Sequence, residues 1–266
     1  SGLWYNRAIM PRSDAKKNGW WWPAVVVVAA LGVWTALSVT GVFPPSAFPS
    51  PIKVIGGFGE EVRTGRLFND IIVSLFRVGL GFGLAVVVGV PLGLTLAHRP
   101  ASRAAFSPAI NFFRSLSPLA WIPFTILWFG IGDKPAIFLI FLSSFFPLVL
   151  ATMVAVDGIP SVYFRVAHEH GIRGWELMRR VTFPAILPQL ITALRVTAGI
   201  AWLVVVAAEM VAGQGGLGFA IMDSRNGLRT DLTVVGMIVI GTIGVVLDRL
   251  LAGLTRVPSV RWGYER

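Results

Sequence analysis

The sequence predicts an all-α integral membrane protein with about six transmembrane helices. Three observations lead to this prediction. Of the 266 residues, 55% are hydrophobic and only 14% are charged, which is too few to cover the surface of a compact soluble protein. Apolar runs long enough to cross a bilayer recur along the chain. The charged residues are concentrated between those runs.

The predicted spans follow one another without an internal repeat or a flexible linker, so residues 1–266 are expected to form a single transmembrane domain. Because their number is even, both termini are expected on one side of the membrane. The third span is interrupted by Pro108, Pro118 and Pro123, which can divide it into two shorter helices. The six spans lie near 20–42, 71–97, 105–130, 135–156, 187–212 and 232–254.

The distribution of Lys and Arg orients the bundle. These residues are more frequent before the first span and after the second, fourth and sixth spans than in the opposite loops. Cytoplasmic loops of membrane proteins carry such an excess, so both termini and the segment 157–186 are expected to be cytoplasmic. The basic residues lie in separate short loops, which does not favour nucleic acid as a partner.

The two longer external segments have different compositions. Residues 43–69 begin with prolines and continue with helical amphipathicity, which predicts a segment lying along the outer membrane surface. Residues 213–231 begin with several glycines and continue with alternating charges, which predicts a short re-entrant or surface helix. Within the second span, further glycines predict close helix packing rather than a phosphate-binding loop. They are Gly79, Gly81, Gly83, Gly89 and Gly93.

A polar segment at 165–188 separates the fourth span from the fifth. Each charged side chain placed at the centre of a membrane helix costs roughly 2.5–3.5 kcal/mol, so the segment must face water. Its composition predicts two short helices, 161–170 and 174–183, closed by Pro184 and Pro188. Gly171 falls where the first helix should end, since glycine adopts positive φ without a Cβ clash.

This segment resembles a loop of a known family. Gly171, a nine-residue spacer and V-T-F-P at 181–184 reproduce the G-x9-I-x-L-P half of the signature loop that permeases of bacterial ABC importers present to their ATPase. The first half departs from that pattern, because R-V-A at 165–167 stands where Glu-Ala-Ala is usual. The wider resemblance is to the nitrate/sulfonate/taurine/bicarbonate branch of these permeases, through residues 74–94, 117–147 and 208–231.

The resemblance implies a permease of type I ABC importer architecture in a bacterial inner membrane, importing nitrate, bicarbonate, taurine or an alkanesulfonate. It implies a second, identical permease chain, two cytoplasmic ABC ATPases and an extracytoplasmic binding protein as partners. No G-x4-G-K-[ST] motif occurs, so ATP and Mg would be bound by the ATPase, and this chain is expected to be neither an enzyme nor a cofactor protein. The residues expected to couple to the ATPase are Arg165, Ala167, Glu169, Gly171, Ile172, Arg173, Trp175, Val181, Phe183 and Pro184.

Ionisable and aromatic side chains within the spans are the candidate pathway residues. Arg77 and Glu209 lie at similar depths below the outer boundary and can pair, whereas Arg195 is roughly 21 Å from Glu209 along the same helix and needs another partner. Packing and solute contact are both open for this pair, because intramembrane charges also mark transport pathways. The same two readings are open for Trp121 and Trp202.

The sequence offers weak support for three other functions. His168 and His170 could suggest a metal site, but without cysteine nearby and on an interaction loop they predict none. An ion-coupled secondary transporter is the main alternative, and it would need pseudo-symmetric halves with broken helices. An intramembrane enzyme would need a catalytic partner facing Glu209. Neither feature is found in the sequence.

Overall fold

The computed structural model describes residues 21–41, 43–44 and 47–254, and these contain helices and turns but no strand. This confirms the predicted all-α class. The basic residues expected to flank the two termini lie outside the described residues. The helices are α1 Trp22–Val39, α2 Pro51–Thr64, α3 Arg66–Ala97, α4 Pro100–Ser115, α5 Ile122–Phe129, α6 Asp133–Asp157, α7 Ser161–Glu169, α8 Gly174–Leu177, α9 Phe183–Ala212, α10 Leu217–Asn226 and α11 Thr230–Gly253.

Among the described residues, four helical segments are long and apolar enough to cross a membrane, or five if a bent pair is counted as one span. The bent pair is α4 with the segment Pro118–Phe129, and the remaining apolar helix, Ala24–Val39 within α1, is shorter than the others. Length and composition alone therefore support four or five of the six expected spans. The four continuous segments are Arg66–Ala97, Asp133–Asp157, Gly174–Ala212 and Thr230–Gly253.

The third predicted span is divided, as its prolines allowed. The helix α4 ends at Ser115, a 3₁₀ turn runs over Pro118–Trp121, and the two halves meet at 87°. Proline disfavours a helical conformation for the residue before it, and Ser117 accordingly has an extended backbone with ψ 125°. The division at this point therefore follows from Pro118.

Close contact between α3 and α6 forms the centre of the bundle, and α9 packs against α6. A Cβ at Gly81 would lie 2.7 Å from the carbonyl oxygen of Ile137, and one at Gly93 would lie 2.7 Å from Cβ of Thr152. Only glycine permits this approach. The predicted packing role is confirmed for these positions, whereas Gly79 and Gly83 face open space.

The polar segment does not end where the sequence predicted. The helix α8, a π-helical turn at Met178–Thr182 and α9 run on without a break, giving 39 helical residues from Gly174 to Ala212. Neither Pro184 nor Pro188 stops the helix: Pro188 lies inside α9, and Pro184 is the second residue of α9, which follows the π-helical turn. The N–H of Phe183 bonds to the carbonyl of Met178, five residues back, whereas an α-helix would use the carbonyl four residues back. Because the α-helical pattern is already interrupted at this point, the missing N–H of Pro184 is tolerated.

Candidate functional site

The turn after α7 has the two hydrogen bonds of a Schellman motif. The N–H of Gly171 donates to the carbonyl of His168 at 3.0 Å, and the N–H of Ile172 donates to the carbonyl of Ala167 at 2.9 Å. Gly171 has φ +72°, a conformation that residues with a Cβ rarely adopt. The predicted end of the first helix is therefore confirmed, one residue earlier than expected.

This turn presents Trp175 to the exterior. Its side chain is 75% exposed, although tryptophan is the largest apolar side chain in the segment. Gly174, with φ +57°, sets the direction in which α8 begins. Beside it, Nη2 of Arg173 lies 3.3 Å from Nε2 of His168. The turn thus ends in an aromatic side chain bordered by charge.

A groove lies between α7 and the π-helical turn. It encloses about 610 Å³ and is mainly apolar, and the structure brings the predicted coupling residues Ala167, Ile172 and Val181 together in its wall. The other predicted coupling residues lie outside the groove. Arg165 and Glu169 are exposed on α7, and Phe183 and Pro184 are exposed at the start of α9.

Two contacts that the sequence did not predict fasten this segment to the bundle. Arg103 on α4 donates two hydrogen bonds, of 2.7 and 2.6 Å, to the carboxylate of Asp157 at the end of α6. Nε2 of His98, at the end of α3, lies 3.1 Å from Oγ1 of Thr182. Neither pair has a sequence signal, since each joins residues more than fifty positions apart.

A second cluster lies at the other end of the bundle, around Arg77. Its Nη1 donates to Oε1 of Glu209 and to the carbonyl of Gly215, both at 2.7 Å. Its Nε and Nη2 donate to one oxygen of Asp133 at 2.8 and 2.6 Å. Arg77 is 2% exposed and Glu209 is fully buried, so the pair predicted from depth is found, with Asp133 as an additional partner.

The carboxylate of Glu209 also helps to cap α10. Three successive backbone N–H groups donate to side chains of α3 and α9: Gly216 to Asp70 at 3.0 Å, Leu217 to Ser74 at 2.9 Å, and Gly218 to Glu209 at 2.9 Å. A Cβ at Gly216 would overlap that carboxylate. Asp70 and Ser74 were not predicted, because only the fold brings α3 beside the glycine-rich turn.

The two tryptophans assigned to the pathway differ in position. Trp202 is buried, and its Nε1 donates to the carbonyl of Ile240 at 3.1 Å, which attaches α9 to α11. Trp121 is partly buried among aromatic rings, including those of Phe124 and Trp128. Contact of either tryptophan, or of the Arg77–Glu209 pair, with a solute stays a prediction.

Two further ion pairs lie nearer the surface. Arg195 finds Asp248 on α11, at distances between 2.9 and 3.2 Å. On α2, the hydrogen bond from Arg229 holds the pKa of Glu60 below its usual value, and this contact joins α2 to the turn before α11. In the part of the chain that the structure describes, no group of three His, Cys, Asp or Glu residues is placed to hold a metal ion.

Comparison with known proteins gives the family. Residues 89–257 match the family described as the binding-protein-dependent transport system inner membrane component. The chain belongs to this family. It is therefore a multi-pass membrane permease subunit of an ABC importer, as the resemblance of the coupling segment predicted.

Individual relatives agree with this assignment. The taurine transport system permease protein TauC of Escherichia coli is 31% identical over 85% of this chain and 84% of its own length. The nitrate import permease protein NrtB of Synechocystis is 33% identical over 79% of each chain. The MetNI methionine ABC transporter in an inward-facing conformation has the same fold, with a TM-score of 0.60 at 22% identity over 74% of this chain and 99% of that one.

Proposed function

We propose that two identical copies of this chain form the translocation pathway of an importer for a small anion or sulfonate, driven by two cytoplasmic ABC ATPases. An extracytoplasmic binding protein would deliver the solute, and ATP and Mg would be bound by the ATPases alone. The solute class is supported by the relatives, among which taurine and nitrate permeases occur. The observation that carries the coupling role is the exposed turn from Gly171 to Trp175.

The exposed surface of this turn fits a protein partner. Trp175 projects from a segment rich in charge, and the groove beside it exposes Val162 and Val166 as well. Interface energy is concentrated in a few buried aromatic and aliphatic contacts. Trp175 and Ile172 would be the apolar anchors in the ATPase, and Arg173 would lie at the rim of the contact.

The helix that follows supplies the route for movement. Because α8 continues into α9, displacement of Trp175 acts on a helical path of about 58 Å for its 39 residues. At the far end of that path, Glu209 caps α10. One continuous helix would therefore transmit closure of the ATPases to both the inner and the outer end of the pathway.

Substitution of Gly171 tests the coupling role. Gly171→Val places a β-branched side chain at φ +72°, where even an ordinary side chain costs roughly 1–2 kcal/mol, so the turn should be reshaped while the spans remain inserted. Gly171→Asn is the matched control, because asparagine tolerates this conformation. We expect the valine variant to bind its ATPase about tenfold more weakly, since 1.4 kcal/mol corresponds to a factor of ten.

The measurement is co-purification of the ATPase from native membranes, together with ATP-dependent uptake of labelled taurine in vesicles. The asparagine variant should behave like the wild type in both assays. Normal ATPase binding and normal uptake by the valine variant would show that the turn does not couple hydrolysis to transport.

A further inference from the structure

We infer that the contact between His98 and Thr182 makes α3 and α9 move together, and that His98 is a positioning residue for transport. This inference rests on the proposed coupling of the 157–186 segment to an ATPase. His98 touches three segments at once. Its Nδ1 lies 2.8 Å from the carbonyl of Leu94 in α3, its Nε2 lies 3.1 Å from Oγ1 of Thr182, and its ring meets that of Phe164 in α7 edge to face.

The hydrogen-bond partners fix the form of the neutral imidazole. A backbone carbonyl only accepts hydrogen bonds, so Nδ1 must carry the proton that is shared with Leu94. In the neutral ring, Nε2 is then an acceptor, and the Thr182 hydroxyl donates to it. Thr182 is fully buried, so its hydroxyl has no water to replace this acceptor. The contact is therefore a directional link between α3 and the π-helical turn.

Thr182 lies between the coupling turn and α9. It is the last residue of the π-helical turn, and seven residues, or roughly 10 Å of helix, separate it from Trp175. Movement of the turn must pass through this point to reach α9. The ion pair of Arg103 with Asp157 is a second polar contact in this region, but both partners are solvent-accessible and such pairs contribute little. Apolar side chains of α3 and α9 also pack in one buried cluster here, and such packing is not directional.

The opposite ends of α3 and α9 are joined as well. Ser74 and Arg77 on α3 both bond to the carboxylate of Glu209 near the end of α9. The two helices are thus fastened at the inner end by His98 with Thr182 and at the outer end by this buried cluster. A pair of helices held at both ends should respond as one unit when the coupling turn is displaced.

Amide hydrogen exchange of the complete transporter in nanodiscs, with its ATPase, tests this inference without knowledge of the solute. ATP and ADP states would be compared at residues 174–177, where the ATPase acts, and at 95–103, beyond the His98 contact. Thr182→Val removes the hydroxyl at constant shape, and Thr182→Ser retains it. His98→Phe is a second variant, which keeps a ring against Phe164 but loses both hydrogen bonds.

We expect ATP to change exchange at both sites in the wild type and in Thr182→Ser. In Thr182→Val and His98→Phe the change at 174–177 should persist, while the change at 95–103 should fall by at least about fivefold. Both variants lose the hydrogen bond that joins α3 to the π-helical turn, and one such bond of typical strength corresponds to about that factor. An undiminished change at 95–103 in both variants would overturn the inference, whereas a wild type without any change at 174–177 would instead contradict the proposed function.

Discussion

Arg77 connects four parts of the chain through one guanidinium group. It lies on α3 and bonds to Asp133 at the start of α6, to Glu209 on α9 and to the carbonyl of Gly215 in the turn before α10. The planar fork of arginine offers several donors in fixed directions, which a lysine ammonium does not. The buried charge of Arg77 is compensated by Asp133 and Glu209. Removal of one partner leaves a buried charge unpaired, so it should lower the free energy of unfolding by more than the ion pair itself adds.

The Arg77–Glu209 pair should show strong coupling in a double-mutant cycle. Arg77→Ala leaves a fully buried carboxylate with only Ser74 and a backbone N–H, and we expect it to lower the free energy of unfolding by about 3–5 kcal/mol. Glu209→Ala should cost less, because Arg77 keeps Asp133. The double variant should lose less than the sum of the two single variants, measured by unfolding in detergent.

The pair of Arg195 with Asp248 is the matched control for that cycle. Its side chains are 34% and 56% exposed rather than buried, so Arg195→Ala should cost less than Arg77→Ala. Strictly additive losses for Arg77→Ala and Glu209→Ala would show that the observed geometry carries no coupling energy.

Two glycines on the helix α3, Gly79 and Gly81, have different surroundings. Gly81 lies against the backbone of α6, whereas Gly79 has no atom within 4 Å of the position of a Cβ. Gly81→Ala should lower the free energy of unfolding by about 1–3 kcal/mol through overpacking. Gly79→Ala should change it by no more than about 0.5 kcal/mol, as surface substitutions usually do.

Thermal unfolding of the two purified alanine variants measures this difference directly. Both positions are in one helix and both substitutions add one methyl group, so helix propensity is shared and the contact with α6 is what distinguishes them. Equal melting temperatures would mean that α3 and α6 can separate slightly at no cost.

For the whole molecule, the orientation in the membrane is open to a direct test. Trp175 and Leu228 are 75% and 79% exposed. Trp175 precedes α9 in the chain and Leu228 follows it, so they lie beyond opposite ends of this span. The chain contains no cysteine, so Trp175→Cys and Leu228→Cys each introduce a single thiol. An impermeant maleimide should label position 228 in sealed cells, and position 175 only after permeabilisation. Labelling of position 175 in sealed cells would reverse the proposed topology.

The sequence by itself determined the features that depend on local composition. Apolar runs and the polar segment predicted a helical membrane protein, because the cost of burying charge in lipid applies wherever the charge lies. The turn at Gly171 that follows α7 was predictable, because positive φ is adopted readily by glycine alone. The pairing of Arg77 with Glu209 was predictable from their shared depth and opposite charges.

The long-range contacts between side chains were decided by the tertiary structure alone. Ser74 and Glu209 are 135 positions apart, and His98 and Thr182 are 84 apart, so neither contact leaves a periodic signal in the sequence. The continuity of α8 with α9 was missed for a related reason. A proline inside an α-helix removes one hydrogen bond and kinks or ends the helix. The π-helical turn before Pro184 changes the register of the hydrogen bonds there, which only the packed backbone reveals.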